Sequence, residues 1–249
     1  MERGDPHGVA TFFSPDTLQS GATQLLGEDV ARHMRVRRLD VGAPVQLVDG
    51  VGGRALATLR RLAKASASVE VGDVKSVDPL PAVHLLVPIA DRDRMMWLAE
   101  KATELGATSW RPVLWRRSKS VSPRGEGAGF QTKVHARMIA ALEQSAGAWL
   151  PAMFPEATVE RALAAAPEGD RLLLASDGEP MLARATEAPL VIAVGPEGGL
   201  EDDERARFVS AGFRIVSLGS TVLRFETAAV AALGVARASL SLGAERTHG

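Results

Sequence analysis

The sequence predicts an α/β protein in which a small β domain precedes a larger domain built on a mostly parallel sheet. Two observations predict this order. Short β-prone runs separated by glycine and aspartate occupy residues 43–77, and strands alternate with helices after the stiff connector at residues 78–81. With 249 residues, of which 46% are hydrophobic, each domain has enough apolar sequence for a core of its own.

The first domain is predicted as a small barrel or sandwich over roughly residues 8–76. Asp49-Gly50, Gly52-Gly53 and Gly72-Asp73 are typical of tight hairpin turns. A short helix is predicted within residues 28–42, and it carries Arg32, Arg35, Arg37 and Arg38. Four arginines so close together cannot all face a core, so they either contact phosphates or keep the helix soluble.

The second domain is predicted from alternating strand and helix patterns. The predicted strands are residues 83–89, 108–115, 171–176, 190–194 and 213–218. The predicted helices are about residues 91–105, 131–148 and 201–211, and a final alanine-rich helix starts near Glu226. Such alternation favours a parallel sheet with helices on both faces.

Three successive strands of this domain end in polar or glycine-rich loops. These loops are Ala175 to Gly178, Gly195 to Leu200, and Leu218 to Glu226. The middle loop, GPEGGL, is either a simple strand-to-helix turn or a binding platform. Because ligands of such sheets bind beyond the carboxyl ends of the strands, the three loops predict one binding site. Neither GxGxxG nor GxxxxGK[ST] is present, so the usual dinucleotide and P-loop sites are not predicted.

Composition argues against several classes of protein. The absence of cysteine excludes disulfides, thiolate nucleophiles and cysteine-bound metals, and five widely separated histidines predict no metal site. No apolar run is long enough to cross a bilayer, and the first twenty residues do not resemble a signal peptide. A soluble, cytoplasmic protein without a membrane partner is expected.

Charge is unevenly distributed along the chain, although the net charge is −1. Residues 79–137 carry ten basic and five acidic groups, whereas residues 138–249 carry nine basic and fifteen acidic groups. The middle of the chain is therefore either the place where an anionic partner binds or a solvated basic face.

Several motifs together resemble the RsmE family of 16S ribosomal RNA uridine-N3 methyltransferases, within the SPOUT superfamily. The motifs are HMRVRRLDVG and VDGVGG in the first domain, then KATELGA (101–107), RRS (116–118), ALEQS (141–145), GPEGGLEDDE (195–204) and LGSTVLRFETA (218–228). One piece departs from the family pattern. A basic residue usually follows Ser145 before a proline, whereas this chain has AGAWLP (146–151), in which Trp149 is expected either to be buried or to stack on a base.

The resemblance implies a fold and a set of partners. Residues 1–77 would form a PUA-like RNA-binding β-barrel, and residues 78–249 a SPOUT α/β domain with a trefoil knot. The knot would bring the three loops together as a pocket for S-adenosylmethionine. The family also implies a homodimer, and a role in rRNA processing and ribosome biogenesis as a methyltransferase of the small ribosomal subunit.

The resemblance also assigns candidate site residues. The cofactor-binding candidates are Leu174, Ala175, Gly195, Pro196, Glu197, Gly198, Gly199, Leu200, Leu218, Gly219, Leu223 and Arg224. The RNA-binding candidates are Arg35, Arg37, Arg38, Arg116, Arg117 and Lys119. The catalytic candidates are Arg224, Glu197 and Glu226.

Methylation of uridine N3 requires loss of the N3 proton, and negative charge then spreads onto O2 and O4. A guanidinium aimed at these oxygens would stabilise the transition state, which is the expected role of Arg224 unless it only pairs with Glu226 or Glu197. Either glutamate could accept the proton or only bind loop amides. Two other functions stay open: a non-catalytic RNA-binding assembly factor, and a methyltransferase acting on another RNA position.

Overall fold

The computed structural model describes residues 9–118, 127–181 and 187–246, and the chain divides into two compact units. One unit is Met1–Pro79 with Ile139–Leu150, and the other is Leu80–Met138 with Pro151–Gly249. The sequence-based boundary between residues 77 and 78 treats each domain as one continuous segment, whereas the first unit also takes in the end of a later helix.

The first unit contains one five-stranded sheet and one helix. Its elements are β1 (Thr11–Phe13), β2 (Thr23–Leu26), α1 (Glu28–Val36), β3 (Pro44–Val48), β4 (Gly53–Leu62) and β5 (Ala67–Ser76). The strand order is β1-β3-β4-β5-β2, with β1 parallel to β3 and the other pairs antiparallel. Two register shifts between β4 and β5 bend the strands, so the sheet curls around its core as a half-barrel.

The core of the first unit comes from one face of each strand and from α1. Phe12, Leu47, Leu59 and Val69 are fully buried strand residues, and Met34 of α1 packs with them. Alternate residues of β4 are exposed, as expected for a sheet with one face on the core. The predicted small β domain with a helix is therefore confirmed as a curled sheet around one core.

The second unit alternates strands and helices as predicted. Its elements are β6 (Val83–Pro88), α2 (Arg92–Glu104), β7 (Ser109–Leu114), α3 (Ala128–Ser145), β8 (Ala152–Met153), β9 (Ala157–Thr158), α4 (Val159–Ala164), β10 (Asp170–Pro180), β11 (Leu190–Val194), α5 (Asp202–Ser210), β12 (Arg214–Ser217) and α6 (Phe225–Arg246). The C-terminal end of α3, from Ile139, belongs to the first unit. The sequence pattern does not predict α4, β8 or β9, because elements of two to six residues are too short to show a periodicity.

All strand pairs of the second sheet are parallel. The order is β12-β10-β11-β6-β7-β8, and β9 also pairs with β7. Every residue of β11 is buried, which requires cover on both faces. Val191 and Ala193 pack in a cluster with Phe208 of α5, while α6 packs against β6 and β11.

This strand order places β12, β10 and β11 side by side. The segments that follow these three strands are the ones predicted to form a binding site. β12, β10 and β11 are neighbours, and the chain changes direction across the sheet between β11 and β6. The segments after these strands therefore meet at one edge of the sheet, where ligands of open α/β sheets bind. Within the described chain, no helix is both long and apolar enough to cross a bilayer.

Candidate active site

The segments that follow β10, β11 and β12 surround one cavity of about 410 Å³. Its lining residues are Leu174, Ala175, Ser176, Asp177, Val194, Gly195, Pro196, Glu197, Gly199, Leu200, Asp202, Arg205, Val216, Ser217, Leu218, Gly219, Thr221, Val222, Leu223, Phe225 and Ala228. The structure thus brings together the three loops expected from the sequence. Ten of the twelve cofactor-binding candidates lie in this lining, and Gly198 and Arg224 do not.

The first loop lies within β10, whereas sequence analysis placed it after the strand. β10 pairs with β12 up to Leu174, and pairs with it again from Glu179 after a register shift. At Gly178 a β-carbon would lie 2.6 Å from the backbone of Val216, so only glycine fits where the strand returns to the sheet. The intervening residues form a bulge toward the cavity, which a period-two pattern does not reveal.

Asp177 in this bulge forms an ion pair with Arg205 of α5. The Arg205 Nη2 to Asp177 Oδ2 distance is 2.7 Å. The hydrogen bond from Arg205 lowers the pKa of Asp177, so the carboxyl group is ionised at neutral pH. The pair connects the first loop to α5 at the wall of the cavity.

The glycine loop Gly195 to Leu200 turns tightly between β11 and α5. The Gly199 N–H donates to the Pro196 carbonyl at 2.9 Å. Glu201 and Glu204 then form a reciprocal capping box that starts α5. Gly198 faces away from the cavity, because its hypothetical β-carbon would lie 3.0 Å from the Arg117 carbonyl oxygen.

The third loop runs from Leu218 to Arg224 and leads into α6. Gly219 has a φ of +145°, a conformation that favours glycine, and a β-carbon there would meet no atom within 4 Å. Ser217 Oγ accepts from the Gly219 N–H at 3.1 Å, which fixes the start of the loop. Arg224 at its end is exposed, and its side chain has no hydrogen bond or ion pair to any described residue.

An arginine that the sequence motifs do not include connects Glu197 and Glu226, the two glutamates among the catalytic candidates. Arg94 of α2 forms an ion pair with Glu197, and its Nε lies 3.8 Å from Glu226 Oε1. Glu226 is 7% exposed, and its Oε2 is buried without a hydrogen-bond partner in the described part of the chain. The sequence contains no signal for this cluster except that Arg94 follows the helix cap Asp91, because the pairing depends on the tertiary fold.

The RNA-binding candidates of the second unit are exposed but paired. Arg116 forms an ion pair with Asp203, and Arg117 forms one with Glu201 at 2.7 Å. Hydrogen bonding to Glu201 raises the pKa of Arg117, and the same bond lowers the pKa of Glu201. Lys119, the remaining candidate of this group, lies outside the described residues.

The RNA-binding candidates of the first unit lie at the end of α1. Arg35 donates to the carbonyl oxygens of Ala63 and Lys64 at 2.5 and 2.8 Å. Arg37 Nε lies 3.1 Å from His33 Nε2. Arg38 is exposed with a φ of 56°. All three guanidinium groups can therefore reach solvent, although two of them have local partners.

The Trp149 ring is partly exposed, and its indole nitrogen is hydrogen-bonded. Its ring is 40% exposed, and its Nε1 donates to the Val77 carbonyl at 2.8 Å within the first unit. A β-carbon on Gly52 would lie 2.6 Å from the Trp149 ring, so the ring packs on that glycine. The expectation of a buried tryptophan is therefore wrong.

Metal-ligating side chains do not cluster in the part of the chain that the structure describes. No group of three or more histidine, aspartate or glutamate residues there has the geometry to hold a metal ion. Two carboxylates of the cavity lining, Glu197 and Asp177, instead form ion pairs with arginines.

Comparison with known proteins agrees with this arrangement. Residues 78–237 match an RNA methyltransferase domain, and residues 26–72 match an RNA methyltransferase PUA domain. The chain is 32% identical to the ribosomal RNA small subunit methyltransferase E of Synechocystis, over 91% of this chain and 76% of that protein. It is 31% identical to the protein of the same name from Mycobacterium bovis, over 91% of this chain and 90% of that protein. The chain belongs to the ribosomal RNA small subunit methyltransferase E family.

This family membership confirms the resemblance found in the sequence motifs. A crystal structure of the family member from Neisseria gonorrhoeae, bound to S-adenosylmethionine, superimposes with a TM-score of 0.84 at 29% identity. The alignment covers 92% of this chain and 97% of the other. The predicted fold class, a small PUA-like domain followed by the α/β methyltransferase domain, is confirmed.

Proposed function

We propose that this protein uses S-adenosylmethionine to methylate N3 of one uridine in the small-subunit (16S) ribosomal RNA. The observation that carries the proposal is the cavity enclosed by three loops, two of which contain the GPEGG and LRFET motifs. The names of the relatives support the ribosomal substrate, and the N. gonorrhoeae structure supports the cofactor.

The shape of the cavity fits this cofactor. A volume of about 410 Å³ lies in the range of small-molecule sites. Leu174, Leu218 and Leu223 provide an apolar surface for the adenine ring. At the open Gly219 position, no side chain prevents a ligand from reaching the main chain.

The charge of the cavity wall also suits S-adenosylmethionine. Its charged lining residues are Asp177, Glu197, Asp202 and Arg205, and with Arg94 paired to Glu197 these groups leave an excess of one negative charge. S-adenosylmethionine carries a positive sulfonium and an ammonium beside its carboxylate. When bound it would supply a methyl group that is transferred from sulfur to a nucleophile, with S-adenosylhomocysteine as the leaving group. A negatively charged wall therefore favours the methyl donor over a neutral analogue.

The chain's own residues would position the uracil and stabilise its charge. Arg224 is assigned to stabilise the negative charge on uracil O2 and O4. Its guanidinium is exposed and is not paired with any described side chain, so it can turn to the substrate. Glu226 or Glu197 is assigned to accept the N3 proton. Glu197 lines the cavity and pairs with Arg94, whereas Glu226 Oε2 is buried and has no described donor.

The N3 atom lies on the Watson–Crick edge, so the target uridine must be unpaired or swung out when it reacts. The assigned phosphate contacts are Arg35, Arg37 and Arg38 in the first unit, and Arg116, Arg117 and Lys119 in the second. A phosphate that binds Arg116 or Arg117 has to replace Asp203 or Glu201. The proposal includes a homodimer, implied by the family resemblance, and a cytoplasmic location, expected from the sequence composition.

The proposal is tested by nucleoside mass spectrometry of ribosomal RNA from a strain that lacks this protein. We expect 3-methyluridine to disappear from the small-subunit RNA and to return when the gene is restored. Loss of a different methylated nucleoside would move the target to another RNA position. Unchanged methylation, with no cofactor binding in calorimetry at high micromolar concentration, would instead favour a non-catalytic assembly factor.

A pair of glycine variants tests whether the cavity is the cofactor site. Gly219→Gln places a side chain in the cavity, whereas Gly212→Gln changes a second glycine with positive φ at the exposed end of α5. Both changes strain the backbone, but only Gly219→Gln should abolish cofactor binding in calorimetry. Equal loss in both variants would mean that strain, and not the cavity, explains the result.

A further inference from the structure

We propose that Arg94 is a positioning residue of this active site, which holds Glu197 of the glycine loop and Glu226 at the start of α6. The inference rests on the proposed function, because it gives Arg94 a role in methyl transfer. Arg94 lies outside all the sequence motifs that resemble the family, so no motif assigns it this role.

The start of α2 fixes the position of Arg94. Asp91 caps the helix by accepting from the Arg94 N–H at 3.1 Å. The second carboxylate oxygen of Asp91 lies 3.2 Å from Arg94 Nε. Because both the backbone and the side chain of Arg94 are held by the same aspartate, the guanidinium has one preferred direction.

From this position Arg94 connects two segments that are distant in sequence. It binds Glu197, which lines the cavity, and approaches Glu226, which follows the cavity residue Phe225. Glu197 belongs to the loop after β11, and Glu226 belongs to the first turn of α6. A single guanidinium therefore connects the glycine loop to the helix that follows the third loop.

Burial makes this connection necessary for Glu226. Its side chain is 9% exposed, while the side chains of Arg94 and Glu197 are 31% and 37% exposed. A carboxylate removed from water requires a nearby cation or hydrogen-bond donors. Arg94 provides positive charge to Glu226 at 3.8 Å, so without Arg94 the ionised form of Glu226 loses this compensation.

Amide hydrogen exchange tests the positioning role of Arg94 without an activity assay. In Arg94→Met, the amides of Gly195 to Leu200 and of the first turn of α6 should exchange about tenfold faster than in the wild type. The control is Arg137→Met, which removes an exposed guanidinium that pairs with Glu100 at 3.1 Å in the same unit. Unchanged exchange in Arg94→Met, or an equal change in the control, would overturn the inference.

Single-turnover kinetics test the catalytic consequence. Arg94→Met should slow methyl transfer about 100-fold, because the glutamates lose their fixed positions. Arg94→Lys should be intermediate, since an ammonium is a compact charge without the planar fork of a guanidinium. In a Glu226→Gln background the Arg94→Met change should have a much smaller effect. If the rate effects of Arg94→Met and Glu226→Gln are fully additive, while the Arg137→Met control has the wild-type rate, Arg94 does not act through Glu226.

The outcomes separate this inference from the proposed function. If wild-type protein methylates no ribosomal RNA, the proposed function fails and the exchange experiment still decides whether Arg94 orders the two segments. If wild-type protein is active and Arg94→Met has the wild-type single-turnover rate and amide exchange, the inference fails while the proposed function stands.

Discussion

Arg224 is the residue whose removal tests the chemistry most directly. Its exposed guanidinium is not tied to any described side chain, so Arg224→Ala should not disturb the cavity. We expect methyl transfer to slow about 100-fold or more in single-turnover experiments, with cofactor affinity changed less than about threefold. The control Arg207→Ala removes an exposed guanidinium of α5 that pairs with Glu160. An unchanged rate in Arg224→Ala would remove this residue from the mechanism.

Glu143 gives the first unit a pH-dependent stability. Its carboxylate accepts from the Phe13 N–H at 2.9 Å and lies 3.6 Å from His33 Nδ1. Burial raises the pKa of Glu143, although the Phe13 N–H, His33 and Arg37 act in the opposite direction. A raised pKa in the folded state means that the stabilising contribution is complete below the ordinary value of 4.5 and is lost as the pH rises through the folded value.

Glu143→Gln should therefore remove part of this pH dependence. Glutamine can still accept from Phe13 but does not ionise. In urea unfolding between pH 4 and pH 8, the variant should gain stability relative to the wild type as the pH increases. Parallel stability curves for the two proteins would contradict the assignment to Glu143.

At the scale of elements, one arginine joins α6 to the end of α2. Arg237 donates to the carbonyl oxygens of Leu105 at 3.1 Å, of Gly106 and of Pro81. These acceptors include carbonyl groups at the end of α2, where the helix itself offers no donors. Burial lowers the pKa of Arg237, and the three carbonyls help to compensate its charge.

Arg237→Met should accordingly destabilise the second unit. The change keeps most of the aliphatic stem but leaves the partly buried carbonyl groups of Leu105 and Gly106 without this donor, at a cost of about 1–3 kcal/mol in the free energy of unfolding. Arg137→Met makes the same chemical change at an exposed ion pair, where a cost of about 0–1 kcal/mol is expected. Urea denaturation of both variants provides the measurement, and equal costs would contradict the role of Arg237.

The elements themselves were largely predictable because they are long and regular. β11 and α6 were recognised from an apolar run and an alanine-rich helix, and their observed starts lie within one residue of those predicted. The bulge at residues 175–178 was not predictable, because it depends on where β12 lies beside β10. The contacts of Arg94 with Glu197 and Glu226 were not predictable for the same reason, since these partners are more than one hundred residues away from Arg94 in sequence.

At the scale of the whole molecule, the uneven charge along the sequence is partly balanced within the second unit. Basic residues of the 79–137 segment pair with acidic residues of the C-terminal third, as in Arg116 with Asp203 and Arg117 with Glu201. The count of five excess basic groups therefore overstates the free positive charge available to RNA. A phosphate must compete with carboxylates for both arginines.

The salt dependence of RNA binding shows whether RNA phosphates contact Arg116 and Arg117 in place of the carboxylates. If both arginines contact phosphate, Arg116→Gln with Arg117→Gln should weaken binding and reduce the slope of log K against log salt by about 1.4. Arg137→Gln with Arg161→Gln removes the same number of charges from this unit without touching the partners of Arg116 and Arg117, and should leave the slope unchanged. An unaltered slope in the first double variant would mean that these arginines do not contact the RNA backbone.

The bulge in β10 has a consequence for how tightly the cavity can bind a small molecule. β10 pairs with β12 up to Leu174 and again from Glu179, so the residues between these two positions are held at both ends by sheet pairing. Closing a free loop around a ligand costs conformational entropy, which reduces affinity. Here folding has already ordered this wall, so more of the contact energy with a ligand remains available as binding free energy.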